Sequence, residues 1–267
     1  MSSSDIYKSK DRITEKAFIK KDDYKSMYEQ SISKPDEFWF EQGQRLDWFT
    51  PYTKVRDYSY EKDDLYIKWY EDGELNASYN CLDRHIEKNA DKIAVIWEGD
   101  DPSNSRKITY QELLTEVCKF SNGLKSLGVK KGDRVTIYMP MIPEAAIAML
   151  SCARIGAVHS VVFGGFSPEA LAGRLEDCDS KYIITADEGV RGGKTIPLKE
   201  NVDKAISKIE DFKKCVVVKR TGNAINWDSS IDHWYDDLVS SASAICEPEK
   251  MSSCLLYTSD AADDYRS

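Results

Sequence analysis

From residue 80 onward, short apolar runs rich in β-branched residues alternate with longer runs of helical period. That alternation restricts the fold more than any other feature of the chain. Residues 134–138, 158–163, 182–185 and 215–218 are too short for helices and almost uniformly apolar, the pattern of strands buried on both faces. Residues 92–97, with 107–109 as a hairpin partner, supply a further short strand pair.

The segments between them have helical signatures. Thr109-Tyr110-Gln111-Glu112 has capping-box spacing, Leu113, Leu114, Val117, Phe120, Leu124 and Leu127 share one face, and Gly128 stands where a C-terminal cap belongs. A second helix starts at Pro143 and closes at Gly156; it is apolar nearly all round and is expected to be buried. Ser167-Pro168-Glu169 combines an N-cap, a first-position proline and a first-turn acid. Residues 197–209 and 231–240 are expected as further helices. Strands separated by helices imply an α/β fold, a doubly wound, largely parallel sheet with flanking helices.

The first 79 residues differ. Residues 1–20 are polar and read as a frayed arm, 23–33 and 36–46 read as helices, and Phe38, Trp39 and Phe40 on the second are expected to pack. Residues 49–75 are rich in Tyr, Asp and Lys without a clean period, which suggests an extended, wrapping segment. Trp48, Trp69 and Tyr70 are expected to anchor it by packing. The chain thus divides into a helical and extended segment, 1–79, and an α/β region, 80–252.

Charge and composition exclude several function classes. A net charge of −9 opposes a nucleic-acid surface, which needs an excess of Lys and Arg, but leaves room for a local basic pocket. Seven scattered cysteines without a C-x-x-C pair fit reduced, mostly buried thiols in a cytoplasmic protein. His85, His159 and His233 are not at metal-ligand spacing, so no metal ligand is expected. Neither a secretory h-region nor an 18-residue apolar run is present, so no membrane partner is expected. His159 reads as a core histidine, Asp133 as a turn residue, and the run Tyr138-Met139-Pro140-Met141-Ile142-Pro143 as a rigid, packed loop.

In open α/β sheets ligands bind beyond the carboxyl ends of the strands, and two loops stand there. Phe163-Gly164-Gly165-Phe166-Ser167-Pro168 follows a strand and opens a helix. Its glycines permit positive φ and close approach to a ligand, and the helix start favours anions or carbonyl groups. A tight turn needing glycine for steric reasons alone is the other reading. Ala186-Asp187-Glu188-Gly189-Val190-Arg191-Gly192-Gly193-Lys194 concentrates acids, glycines and bases. Arg191 and Lys194 there suit a phosphate clamp, or the loop is solvated with an internal Asp–Arg pair. No Walker A, G-x-S-x-G or G-x-G-x-x-G motif is present.

Longer runs carry a family resemblance. WYEDGELNASYN from Trp69, VTIYMPMIPEAAIAMLSCARIGAVHSVVFGGFSPEALAGR from Val135 and ITADEGVRGGKTIPLK from Ile184 resemble the acetyl-CoA synthetases of the adenylate-forming superfamily. The resemblance implies an AMP-forming acetate–CoA ligase. Acetate and Mg-ATP would give acetyl-adenylate and pyrophosphate, and the CoA thiol would then displace AMP. It implies ATP, CoA and Mg²⁺ as cofactors of the whole enzyme and only small-molecule partners: acetate, ATP and CoA. It implies that Gly164, Gly165, Arg191, Gly192, Gly193 and Lys194 contact CoA, Lys194 standing where relatives often have a second arginine. No catalytic residue is carried over.

The family continues with LYTSGSTGKPKG, a phosphate loop. This chain reads Leu256-Tyr257-Thr258-Ser259 and then an acidic run, Asp260-Ala261-Ala262-Asp263-Asp264. The resemblance therefore points to an N-terminal fragment, inactive alone, with 253–267 expected to be a non-native tail. A propionate or other short-chain acyl ligase, and a non-catalytic CoA-binding remnant, are the other readings.

Overall fold

The computed structural model describes residues 10–253, in two compact units. The first comprises 10–46 and 54–70. It holds helices α1 (Asp11–Glu15), α2 (Lys21–Ser33) and α3 (Pro35–Gly43) and strands β1 (Arg56–Glu61) and β2 (Asp64–Trp69). Pro35 at the first position and Asp36 and Glu37 in the first turn start α3, as the geometry and dipole of a helix N-terminus favour. Phe38 is buried, and Trp39 meets Phe38 and Trp69 edge-on at 5.1 and 5.7 Å. The Tyr70 hydroxyl donates to the Trp39 carbonyl at 2.7 Å. The expected packing of Trp69 and Tyr70 is therefore present, while Trp39 and Phe40 keep about two fifths of their surface exposed, 39% and 42%.

The extended segment expected over 49–75 is in part a hairpin. β1 and β2 pair antiparallel from Arg56↔Trp69 to Glu61↔Asp64, so Lys62 and Asp63 make the turn. The signal is hidden because the turn has no glycine and the exposed face carries Tyr58 and Tyr60 instead of polar residues.

The second unit, 47–53 with 71–253, begins with β3 (Glu74–Leu75), α4 (Ala77–Cys81), α5 (Asp83–Asn89), β4 (Ile93–Glu98) and β5 (Ser105–Thr109). Trp48 packs on Tyr52 with ring centroids 4.8 Å apart. β4 and β5 form the expected hairpin. It leads into α6 (Tyr110–Ser126), whose capping box is complete: the Glu112 amide donates to the Thr109 hydroxyl at 3.2 Å and the Thr109 amide to the Glu112 carboxylate at 2.8 Å. Leu113, Val117, Phe120 and Leu124 are buried along one face.

The rest is β6 (Arg134–Met139), α7 (Pro143–Arg154), β7 (Val158–Phe163), α8 (Pro168–Asp177), β8 (Tyr182–Ala186), β9 (Gly189–Arg191), β10 (Lys194–Ile196), α9 (Leu198–Ile206), β11 (Lys214–Val218), β12 (Asp232–Trp234), α10 (Tyr235–Ser240) and β13 (Met251–Ser252). A five-stranded parallel sheet runs in the order β12-β11-β8-β6-β7. Val135, Ile137, Ile183, Ile184, Val216 and Val217 are buried, which is why these strands read as nearly continuous apolar runs, with Thr136 and Thr185 buried among them. α7 packs with α6, which also meets α10, and α8 packs with α9, giving two helix groups for one sheet. The α/β class and the parallel sheet are as the sequence implies. The chain runs from β6 to β7 on one side and then crosses to β8 on the other. Strand order therefore reverses at β6, the place where open sheets form a ligand crevice.

Two further elements differ from the sequence reading. The helix expected over 231–240 is α10 only, because Asp232–Trp234 pair with β11 as an edge strand. The buried Asp232 carboxylate fixes that switch by accepting from the Asp228 amide at 2.8 Å and from the buried Lys199 ammonium at 2.9 Å. The loop expected over 186–194 is partly a hairpin, β9 with β10. Cys118, Cys152, Cys215 and Cys246 are buried free thiols, Cys178 is half-buried and Cys81 exposed. Burial pushes Cys152 up to about 12, so that thiol is inert. No helix among the described residues is long and apolar enough to cross a membrane. Apart from Ser253, the expected tail lies outside the described residues, as do residues 1–9 of the arm.

Candidate functional site

Three loops leave the carboxyl ends of β6, β7 and β8 and converge around a cavity of about 310 Å³. Met139, Pro140 and Met141 come from the first, Phe163, Gly164 and Gly165 from the second, Gly189, Val190, Arg191 and Ile196 from the hairpin, and Leu198 from the start of α9. Arg191 is the one charged residue in this wall.

The glycine turn is fixed on all sides. The Phe166 amide donates to the Phe163 carbonyl at 3.0 Å, the buried Tyr138 hydroxyl donates to the Phe166 carbonyl at 2.8 Å, and the Asn201 amide group donates to that hydroxyl at 3.2 Å. Ser167 then caps α8 by accepting from the Ala170 amide. Neither Gly164 nor Gly165 takes a left-handed φ, contrary to one reason for expecting glycine there. The requirement is steric. A Cβ on Gly164 would lie 3.2 Å from the Met139 carbonyl oxygen, and one on Gly165 would lie 2.5 Å from the Phe163 ring.

In the hairpin, Gly192 and Gly193 take φ of 55° and 72°, the pair of left-handed residues that a two-residue type I′ turn requires. The turn makes Arg191 and Lys194 direct cross-strand partners. Neither forms an ion pair among the described residues. The Arg191 guanidinium instead lies 5.7 Å from the centre of the Phe163 ring. Gly164, Gly165 and Arg191 thus meet at one cavity, whereas Gly192, Gly193 and Lys194 stand at the hairpin end outside its wall.

Asp187 does not pair with Arg191. It is buried and accepts from the Arg220 amide at 2.8 Å, the Gly222 amide at 2.7 Å and the Thr221 amide at 3.1 Å, so it organises the neighbouring loop. Asp133 accepts from the Lys130 amide, a turn contact as expected. His159 is half-buried in β7, and burial holds its pKa below the ordinary histidine value. Sequence reasoning missed Met139, Pro140 and Met141, whose apolar pattern is that of packed core; Met141 is in fact 90% exposed. The arrangement suits a ligand with an apolar stem and an anionic end.

Comparisons with known proteins agree with one another. Residues 82–259 match the model of the AMP-binding enzyme family, and residues 24–81 match acetyl-coenzyme A synthetase N-terminus. The acetyl-coenzyme A synthetase of Parvibaculum lavamentivorans is 58% identical over 91% of this chain and 38% of its own length. That of Shewanella halifaxensis is 54% identical over 97% of this chain and 41% of its own length. The chain therefore spans about two fifths of the length of these relatives. The solved acetoacetyl-CoA synthetase from Streptomyces lividans superposes with a TM-score of 0.76 at 22% identity, covering 86% of this chain and 34% of that one, a likeness of fold.

Proposed function

Because the chain belongs to the AMP-binding enzyme family, we propose that it is the N-terminal part of an AMP-forming acetate–CoA ligase and that its cavity receives CoA. The observation that carries this reading is the pairing of an apolar cavity with Arg191 in its wall and Lys194 opposite Arg191. CoA has a matching division: an uncharged, thiol-bearing arm and a phosphorylated nucleotide end. The arm would follow the wall of Met139, Phe163, Ile196 and Leu198, passing the backbone at Gly164 and Gly165. Arg191, with its planar fork, and Lys194, as a point charge, would take phosphate oxygens. The open backbone of Gly192 and Gly193 would let a phosphate group approach the turn.

In the full reaction acetate attacks the α-phosphate of ATP, giving acetyl-adenylate and pyrophosphate. The CoA thiol then attacks the acetyl carbonyl and AMP leaves. This chain's residues serve the second step by binding and orienting CoA. Mg²⁺ would enter with the triphosphate, and the residues that act on ATP are expected outside 10–253. We propose a domain division near residue 80, supported by the two family matches meeting at 81 and 82.

The test is direct. The chain as written should release no pyrophosphate from acetate and ATP above a no-enzyme control, yet should bind CoA saturably in a calorimeter. Pyrophosphate release, or an absence of CoA binding, overturns the reading.

A further inference from the structure

We infer a second anion site, separate from the CoA cavity, at the carboxyl end of β11, and assign it to a phosphate-class dianion. A cavity of about 190 Å³ opens there between the β4–β5 hairpin, the start of α7, the residues after β11 and the start of α10. A single water needs only about 10–15 Å³ on this measure, so the cavity can hold a phosphate group with part of its hydration.

Its cations are held in an unusual way. The Lys219 ammonium lies 4.5 Å from the centre of the Trp234 ring, and the Arg220 guanidinium 5.2 Å from that of Trp97. Neither has an ion-pair partner among the described residues. Aromatic faces thus position both charges without neutralising them. A third cation, Arg106, is paired with Glu144 at 3.1 Å, so the lining carboxylate left to oppose Lys219 and Arg220 is Asp236, exposed in the first turn of α10.

The backbone around these side chains is fixed from below. Asp187 takes the amide hydrogens of Arg220, Thr221 and Gly222, which sets the direction in which the chain leaves β11. The Trp97 indole N–H donates to the Met141 carbonyl at 2.7 Å and holds the ring under Arg220. Met141 also lines the CoA cavity, so this contact marks the wall between the two.

A second observation points to a polar occupant. Tyr235, 4% exposed, is part of the cavity wall, and its hydroxyl has no hydrogen-bond partner in the described structure. A buried O–H donor without an acceptor is costly, and an anion, or the water that accompanies one, supplies an acceptor. The position is also where parallel sheets bind ligands, beyond a strand's carboxyl end.

The test uses the full chain and inorganic phosphate at constant ionic strength, read by tryptophan fluorescence and by thermal unfolding. Phosphate should change both signals saturably. Lys219→Gln with Arg220→Gln should weaken that response about tenfold, while Arg191→Ala, at the other cavity, should leave it within about twofold. Where the double variant is unfolded by circular dichroism, Lys219→Gln alone is read, and its affinity should fall by about threefold. A response that does not saturate, that survives the double substitution, or that Arg191→Ala abolishes overturns the assignment.

Discussion

Arg191 and Lys194 are direct cross-strand partners on either side of the Gly192-Gly193 turn, so two positively charged residues stand opposite each other in the register of a short hairpin. Like charges in that register destabilise a strand pair, and no carboxylate among the described residues pairs with either. An anion placed between them reverses the sign of the interaction. That is why we place the phosphates of CoA there.

The turn that creates this register has its own signature. A Cβ on Gly193 would meet nothing within 4 Å, so a side chain there is opposed only by the left-handed φ of 72°. Gly193→Ala should cost about 1–2 kcal/mol, and Gly193→Asn clearly less, because asparagine tolerates that region. Urea unfolding of the two variants measures the difference. An alanine variant as stable as the parent contradicts the turn geometry.

Asp187 shares its loop with Arg191, and its surroundings assign it a structural task. Its buried carboxylate accepts from three amides of the loop after β11. Asp187→Ala leaves them without an acceptor and should cost about 3 kcal/mol. Glu188→Ala, which removes contacts to the Thr221 hydroxyl and the Asn223 side chain, should cost no more than about 1 kcal/mol. Comparable losses in denaturant unfolding would show that Asp187 does not organise the loop.

These residues show where the sequence is readable. β6, β8 and β11 are visible because burial on both faces leaves little but apolar and β-branched residues in the run, Thr136 and Thr185 among them, and the Thr109–Glu112 box because two side chains satisfy two amides in a fixed spacing. The β1–β2 and β9–β10 hairpins and the edge strand β12 are hidden, since β1 and β2 mix charged with exposed aromatic residues and β9, β10 and β12 are only three residues long. At the site, Gly164, Gly165 and Arg191 are conspicuous by residue type. Met139–Met141 are not, because an apolar cavity wall and an apolar core have the same composition. That Gly165 makes room for the Phe163 ring depends on a tertiary contact that no local pattern encodes.

His159 supplies a pH test of the sheet edge. Burial lowers its pKa, so between that value and about 6.5 the unfolded chain binds the proton and the folded one does not. The stability due to the neutral ring is therefore complete above about pH 6.5 and is lost as pH falls through the folded pKa. Unfolding free energy measured from pH 8 to 5 should decline below 6.5, and His159→Gln should flatten part of that decline. An unchanged slope in the variant contradicts the burial of this ring.

The role proposed for Arg191 belongs to the CoA half-reaction and not to the ATP half. The measurement is the steady-state KM for CoA and for ATP of the acetate–CoA ligase carrying this sequence, with and without Arg191→Ala. Loss of a charge-assisted phosphate contact should raise the KM for CoA about tenfold or more and leave that for ATP within about twofold. Equal changes in the two constants, or a change confined to ATP, would contradict the assignment.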